Sequence, residues 1–387
     1  MVTARIAIVG GGLAGLYAAF VLEQQGIEDY VLLEARRTYG GRIESVSSNG
    51  TLVSGLGSSR NDLDRFDLGP TWFWPAHQPQ LDRLIRELGL ERFEQYETGH
   101  MVVERSPHQP PVQMRGYATS PQSMRLVGGM GALVDTLCRN LTSTRLKNDQ
   151  QVRHIRRTGR RVELDAEDSH GQLTSYSVEH VLLAIPPRLA IATIDFQPAL
   201  PDKLVRGWRD AATWMAPHAK YLAIYDTPFW RERQLSGEAR SACGPLVEIH
   251  DASMPGASAG LFGFIGVPAL ARREISPIVL RALCRAQLER MFGPQAAEPR
   301  AEVIKDWAAD ALTATEADLD GTSHQHGAAP AASPASGDWR GRVVGIASEW
   351  SPNFSGYLAG AIEAADFGVH TLVEGLRNEK FKPSIVE

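Results

Sequence analysis

The run Ile6-Ala7-Ile8-Val9-Gly10-Gly11-Gly12-Leu13-Ala14-Gly15-Leu16 constrains this chain more than any other segment. Four apolar residues predict a buried strand, the glycines a tight turn, and the apolar run after them the start of a helix. Gly10, Gly12 and Gly15 carry the G-x-G-x-x-G spacing. One glycine permits the turn, one lets backbone approach a pyrophosphate, and one lets helix and strand pack closely. The helix N-terminus at Leu13-Ala14 then offers N–H groups and partial positive charge to phosphates. A second strand, Tyr30-Val31-Leu32-Leu33, ends in Glu34. That acid stands 19 residues past Gly15, close to the roughly 20 expected of a carboxylate that binds a ribose. Together these features predict a dinucleotide site, open at this point to either NAD or FAD.

A chain of 387 residues exceeds one typical core, so two domains are expected. The hydrophobic share of 43% suits a globular protein, and a net charge of −5 gives no pointer to nucleic acid. The one dense basic run, Arg153, Arg156, Arg157, Arg160 and Arg161, falls on an expected hairpin with its turn at Thr158-Gly159 and reads as a solvated strand face. Cys138, Cys243 and Cys284 are scattered and odd in number, which fits a reducing compartment and gives neither metal spacing nor a disulfide framework. The first strand begins too close to Met1 for a signal peptide, and no apolar stretch approaches the ~18 residues of a membrane span. A cytoplasmic location is expected.

Gly40-Gly41-Arg42 predicts a second close backbone approach with a guanidinium beside it. Residues 46–64 read as a loop, and Phe66 to Trp74 as a short strand entering a glycine turn. Trp72, Phe73 and Trp74 fit either a pocket wall or an apolar core. Helices are expected at Gln80–Leu88, from about Gly131 to Leu141, at Pro277–Phe292, and from about Gly356 to Leu376. Strands are expected at His180–Ile185, Lys220–Tyr225, Gly244–His250, Gly260–Ile265, Val303–Trp307 and Arg342–Ala347. Residues 321–338 read as a surface connection. His324 and His326 lack carboxylate or cysteine partners, so no metal site is assigned.

Several separated segments resemble the flavin-containing amine oxidase family, the monoamine and polyamine oxidase group. The resemblance spans nearly the whole chain. Gly10–Gly15, Glu34 and Gly40-Gly41-Arg42 are shared with other FAD proteins. Trp214-Met215-Ala216-Pro217-His218-Ala219-Lys220, followed by Thr227-Pro228-Phe229-Trp230, resembles the family's lysine-bearing strand and Pro-Phe-Trp turn. Trp307-Ala308-Ala309-Asp310 and Gly356 to Ala364 resemble the strand and closing helix beside the flavin. The implied fold is α/β, a doubly wound Rossmann-like FAD domain (1–79, 125–205 and 338–387) with an inserted α+β substrate domain (80–124 and 206–337) built on a mixed or antiparallel sheet.

The resemblance implies FAD, held non-covalently because no cysteine follows Trp307. The implied cofactor contacts are Gly10, Gly12, Leu13, Ala14, Gly15, Glu34, Ala35, Arg36, Gly41, Arg42, Gly69, Pro70, Thr71, Trp72, Val152, Trp307, Glu349, Leu358 and Ala359. Within that set Val152 lies against adenine, Glu34 on the ribose and Arg42 near the pyrophosphate. Lys220 and Tyr357 are the catalytic candidates. The lysine holds a water at flavin N5, and Tyr357 is one of two rings that guide the amine. No second ring appears along residues 313–317. Trp74, Thr315, Trp350 and Tyr357 are the pocket candidates, with core packing as the other reading of Trp350. The glycines of the closing helix cost about 1 kcal/mol each relative to alanine, which implies a close approach by something. The implied reaction turns an amine into an imine by hydride transfer to flavin, with dioxygen reoxidising it to give hydrogen peroxide. The implied partners are a small amine and O2, without nucleic acid or a transmembrane segment, and with a homodimer entertained. Two other readings stand: a protoporphyrinogen-oxidase-like or desaturase-like flavoprotein, and a flavin-binding protein without amine oxidase activity.

Overall fold

The computed structural model describes residues 1–53, 64–319 and 328–380, and the chain divides into two compact units. The first unit takes Met1–Gly41, Thr136–Trp214 and the described part of His324–Glu387. Its centre is a parallel sheet in the order Leu146–Lys147, Tyr30–Leu33, Ile6–Val9, His180–Leu183, Val343–Gly345. All four residues of the Ile6–Val9, Tyr30–Leu33 and His180–Leu183 strands are buried. That continuous burial is why the sequence runs apolar there without alternation. The Leu13–Gln24 helix packs against the long Leu358–Lys380 helix.

A second sheet of this unit contains the expected hairpin, Gln151–Thr158 paired with Arg161–Glu167. Its second strand alternates strictly, with Val162, Leu164 and Ala166 buried between half-exposed polar residues. Arg153 pairs with Glu167 at 3.0 Å and Arg156 with Asp165 at 2.7 Å. Arg153 and Arg156 are therefore tied across the hairpin to acids, whereas Arg157 and Arg161 donate to backbone carbonyls. The strand expected through Ile185 ends at Leu183, and Pro187 opens the short Pro187–Thr193 helix instead of only stopping the strand.

The closing helix begins at Leu358, two residues later than Gly356, because Gly356 sits at φ +81° in the left-handed region. A Cβ at Gly356 would lie 2.5 Å from Cβ of Trp214, and one at Gly360 would fall on the carbonyl oxygen of Phe354. The close approach inferred from these costly glycines is thus made by the chain itself.

The second unit takes Arg42–Asp135 and the described part of Met215–Ser323. Its main sheet has seven strands in the order Ala301–Asp306, Ala219–Tyr225, Ala259–Ile265, Leu246–Asp251, Leu235–Ser241, His100–Glu104, Val112–Arg115. One face carries Tyr221, Ala223, Tyr225, Ile249 and Leu261 against Leu280, Cys284, Leu288 and Met291 of the Pro277–Phe292 helix. The other face carries Leu222, Ile224 and Phe262 against Val46, Phe66 and Leu68. That second contact explains why residues 42–79 group with 215–323, whereas the expected domain limits placed them with the nucleotide-binding segments.

Residues 46–53, expected as loop, form part of a hairpin between Ser45–Ser47 and Leu52–Val53. Its turn is built on Asn49, whose Oδ1 accepts from Thr51 N at 3.1 Å, and on Gly50 at φ +79°. The strand expected to reach Trp307 stops at Asp306, whose carboxylate accepts from Ala308 N at 3.1 Å and caps a short 3-10 turn. No helix among the described residues is long and apolar enough to cross a membrane.

Two glycines of one helix give opposite outcomes. Gly360→Ala should destabilise the protein by about 1–3 kcal/mol through overpacking on Phe354. Gly375→Ala meets open space and should stabilise it by about 0.4–1 kcal/mol. Urea unfolding of the two variants checks the pair; equal midpoints would contradict this packing.

Candidate functional site

In the first unit the glycine turn is closed by backbone. Gly10 adopts φ +110°, and a Cβ at Gly15 would fall on the Gly10 carbonyl oxygen. Both positions therefore admit only glycine. Gly12 is the N-cap of the Leu13–Gln24 helix; it supplies no side-chain cap, and the first turn carries no acid. A helix start of this kind can offer an anion its first N–H groups, which have no partner within the helix. Gly40 backs the turn, its N–H donating to Gly11 O at 2.9 Å, and Gly12 and Gly40 form a parallel bridge. Gly41 stands at φ +58°.

Glu34 is buried, and its two carboxylate oxygens accept from Gly11 N at 2.6 Å and Arg36 N at 2.7 Å. The acid expected for a ribose also fastens the glycine turn to the second strand. A carboxylate is an acceptor that suits hydroxyl donors. This donor set fits a dinucleotide: backbone N–H groups for the pyrophosphate and an acceptor for the ribose. Leu13 and Ala14 are buried at the helix start, while Ala35 and Arg36 are half-buried beside Glu34. Val152 is buried in the core of this unit, opposite Ala166 on the neighbouring strand.

The closing segment brings Glu349, Trp350 and Tyr357 into the same unit. Glu349 is buried, and its Oε2 accepts from Ser348 Oγ at 3.0 Å. Trp350 packs as core. It meets Trp208 edge to face at 5.2 Å, and its ring fills the space a Cβ on Gly345 would need. Tyr357 is 38% exposed, with Leu358 half-buried and Ala359 buried behind it. Its ring lies 6.4 Å from Trp214 at an interplanar angle of 21°. Trp214 is therefore a second, near-parallel ring where residues 313–317 provide none. The Gly356 contact with Trp214 was its signal in the sequence, readable only once the two segments are adjacent.

The second unit holds Lys220. This side chain is fully buried, far from the strand-end lysine in solvent that an unaided reading of the strand would give. Its Nζ donates to Asp67 O at 3.0 Å, Gly69 O at 2.8 Å and Thr71 Oγ1 at 2.8 Å. Three acceptors match the three N–H bonds of an ammonium. Burial brings the Lys220 pKa down to about 7, opposed by the Asp67 carboxylate and assisted by the Arg125 guanidinium. Burial likewise raises the Asp67 carboxyl, against the pull of Lys220 and Arg125. Asp67 Oδ1 accepts from Met130 N at 2.8 Å and Ser45 Oγ at 3.2 Å. The Asp67–Thr71 turn and Lys220 thus form one buried polar knot.

An aromatic wall adjoins it. Phe262 has its centroid 4.2 Å from Lys220 Nζ, and Phe264 lies 5.8 Å from the same atom. Trp72 packs at 5.4 Å from Phe262 and 4.8 Å from His250. Its indole N–H donates to Gln95 Oε1 at 2.8 Å, which fixes the ring. His250, Phe262 and Phe264 escaped the sequence reading. Their strands run opposite Lys220, and only the register Lys220↔Phe264 and Phe262↔His250 places them on one face.

Of the remaining candidates in this unit, Arg42 and Pro70 are half-buried and Gly69 is buried. Phe73 is fully buried, with backbone bonds to Met124. Trp74 is held by Ser123 Oγ at 3.0 Å. Trp307 is buried, donates to Leu68 O at 3.2 Å and lies beneath Lys305 Nζ at 4.2 Å. Thr315 is occupied locally, its hydroxyl donating to Asp318 Oδ2 at 2.7 Å. His324 and His326 lie outside the described residues. Among the described residues no group of three His, Cys, Asp or Glu could hold a metal.

Residues 111–366 match the family described as flavin containing amine oxidoreductase, and residues 8–88 match an NAD(P)-binding Rossmann-like domain. The chain is 23% identical over 404 residues to a probable flavin-containing monoamine oxidase A of Dictyostelium discoideum, covering 78% of this chain and 83% of that protein. It is 26% identical over 267 residues to the flavin-containing amine oxidase B of Sus scrofa, covering 66% of this chain but only 48% of that protein. Wild-type putrescine oxidase bound to putrescine shares the fold, with a TM-score of 0.77, 20% identity, and coverage of 96% of this chain and 99% of that one.

The Lys220 site imposes a pH dependence on folding. The unfolded lysine holds its proton to about 10.5, whereas the folded one releases it at about 7. Between those values the unfolded chain binds more protons, so stability contributed at this position rises with pH. The advantage of the wild type over Lys220→Met in urea unfolding should therefore grow from pH 7 to pH 10. Parallel pH profiles for the two proteins would remove the depressed lysine.

Proposed function

The chain belongs to the flavin containing amine oxidoreductase family, and we propose that it oxidises an amine to an imine with FAD and dioxygen. The observation that carries this reading furthest is the buried, triply hydrogen-bonded Lys220 beside an aromatic wall. FAD, when bound, would supply the two-electron acceptor for the carbon next to the amine nitrogen and the route for those electrons to O2, giving hydrogen peroxide.

The protein's own residues divide the remaining work. The N–H groups at the start of the Leu13–Gln24 helix hold the pyrophosphate, with Gly10, Gly12 and Gly15 allowing the backbone to approach. Glu34 accepts from the ribose. Arg42, Gly69 to Trp72, Trp307, Glu349, Leu358 and Ala359 complete the proposed cofactor contacts. Cys138 and Cys284 are buried and Cys243 is half-buried, which supports a non-covalent attachment. Lys220, near neutrality at about 7, can hold or release a proton at Nζ under working conditions, with the Thr71 hydroxyl as its exchangeable partner. Desolvation in the buried surroundings of Trp72 and Phe264 favours the neutral amine from which hydride can leave. Tyr357 and Trp214 offer the near-parallel rings proposed to guide the amine.

The test is a panel of primary, secondary and polyamines mixed anaerobically with the yellow protein. At least one amine should bleach the flavin, and air should then yield hydrogen peroxide. A flavin that stays oxidised with every amine would sink the proposal. Acid precipitation should leave all the flavin in the supernatant; yellow pellets would reverse the non-covalent assignment.

A further inference from the structure

The arginine hairpin of the first unit carries charge that the proposed reaction does not use. Arg157 and Arg161 flank its turn, and Arg160 stands in it. The turn lies against the segments that enter the parallel sheet. Arg161 Nη2 donates to Ala4 O at 3.0 Å and to Ser177 O at 2.6 Å, and its Nη1 lies 3.8 Å from Glu179 Oε1. Arg5 Nε donates to Glu179 Oε2 at 3.3 Å, and Arg342 Nη1 donates to Glu179 O at 3.3 Å. Three guanidinium groups thus converge on residue 179, and Arg157 joins them by donating to Arg161 O at 3.1 Å. Arg5, Glu179 and Arg342 each stand one residue before a strand of the parallel sheet, Ile6–Val9, His180–Leu183 and Val343–Gly345. The cluster therefore lies at the N-terminal ends of these strands. Nucleotides bind beyond the carboxyl ends, where the glycine turn follows Val9, so the arginines mark a separate place on the same unit.

The charges here do not cancel. Arg160 and Arg340 are exposed beside the cluster, and neither has a side-chain hydrogen bond or ion pair among the described residues. The acids nearby are Glu179, Asp338 beside Arg157, and Asp29, whose carbonyl oxygen accepts from Arg5 N. Glu163 is taken by Arg156. Six arginines against three acids leave this face positive on a chain whose net charge is −5. Burial holds the Arg157 guanidinium below its ordinary range, and the Arg342 charge adds to that, with Asp338 opposing. Two like charges are therefore kept near each other on a half-buried face. Arg157 and Arg342 spend their hydrogen bonds on backbone carbonyls. Those bonds orient the planar groups without neutralising them. A guanidinium fork fixed in this way is preorganised for an oxyanion.

We propose that the Arg157–Arg342 face binds the phosphoryl group of a small molecule, at a site separate from that of the flavin. A phosphoryl group brings close to two negative charges at neutral pH and three acceptor oxygens, enough to offset two guanidinium groups at once, whereas a carboxylate brings one charge. Arg157 and Arg342 make the direct contacts. Arg160 and Arg340, exposed at the rim, raise the local concentration of anions. The site is a property of the first unit alone and does not rest on the amine-oxidising reading.

Pyrophosphate is the probe. It is titrated calorimetrically into the flavin-loaded protein, so that the glycine turn is already occupied, with every buffer brought to one ionic strength by sodium chloride. The wild type should bind one pyrophosphate per chain, saturably. The double variant Arg157→Met, Arg342→Met should weaken binding about tenfold or more, the range for losing charged hydrogen bonds. Arg157→Lys keeps the charge without the fork and should lose part of the affinity. Arg153→Met, on the same hairpin but tied to Glu167, should leave it unchanged. Urea unfolding verifies that the variants fold, and Arg157→Lys carries the test where the double variant does not. No saturable binding by the wild type, an affinity unchanged in the double variant and in Arg157→Lys, or an equal loss in Arg153→Met overturns the proposal. Binding that depends on Arg157 and Arg342 supports it even where no amine is oxidised.

Discussion

A lysine ammonium with no exposed surface is the most demanding feature of this molecule. An isolated buried charge costs far more than a domain's net stability, so it survives only where every donor finds an acceptor or the proton leaves. Lys220 meets the first condition with two backbone carbonyls and one hydroxyl, and its depressed pKa brings it close to the second. Two of those acceptors belong to Asp67 and Gly69, so the turn after the Arg65–Asp67 strand must stand where it does. Trp72 and Trp307 then follow, the first through its place after Thr71, the second by donating to Leu68 O. Asp67 and Arg125 complete a buried set of opposite charges around the amine.

The two units solve different physical problems. The first presents backbone: a glycine turn, an uncapped helix start and a carboxylate that braces both. Such a surface suits phosphates and ribose, where geometry of N–H groups matters more than side-chain identity. The second presents side chains on one sheet face, graded from the Lys220 knot through aromatic rings to His250. The opposite face of that sheet is spent on the apolar core under the Pro277–Phe292 helix. The alternation of the strands therefore separates chemistry from stability.

Features set by local spacing were legible in the sequence. The glycine turn, Glu34 at the end of its strand, the arginine hairpin and the Pro277–Phe292 helix follow from short-range patterns of apolar residues and turn formers. Lys220 was legible only through its flanking resemblance, because a lysine at a strand end looks solvated until the turn from Asp67 to Thr71 is brought to it. His250, Phe262, Phe264 and Trp214 were not legible, since each gains its place from register or from contact with a distant segment. Gly356 and Gly360 show the converse. Their oddity in a helix was visible, but its cause, Trp214 and the Phe354 carbonyl, required the fold. Thr315 and Trp350, named as pocket candidates by position, are engaged in a local cap and a core contact.

The buried knot depends on the charge state of Lys220, and a direct titration of that nitrogen reads it. Lysine labelled with 13C at the carbon beside Nζ can be followed by NMR across pH, with Lys220→Met assigning the resonance. One lysine signal should titrate at about 7, apart from the surface lysines. A Lys220 signal that shifts only near 10.5, with the others, would contradict the buried knot from which the rest is built.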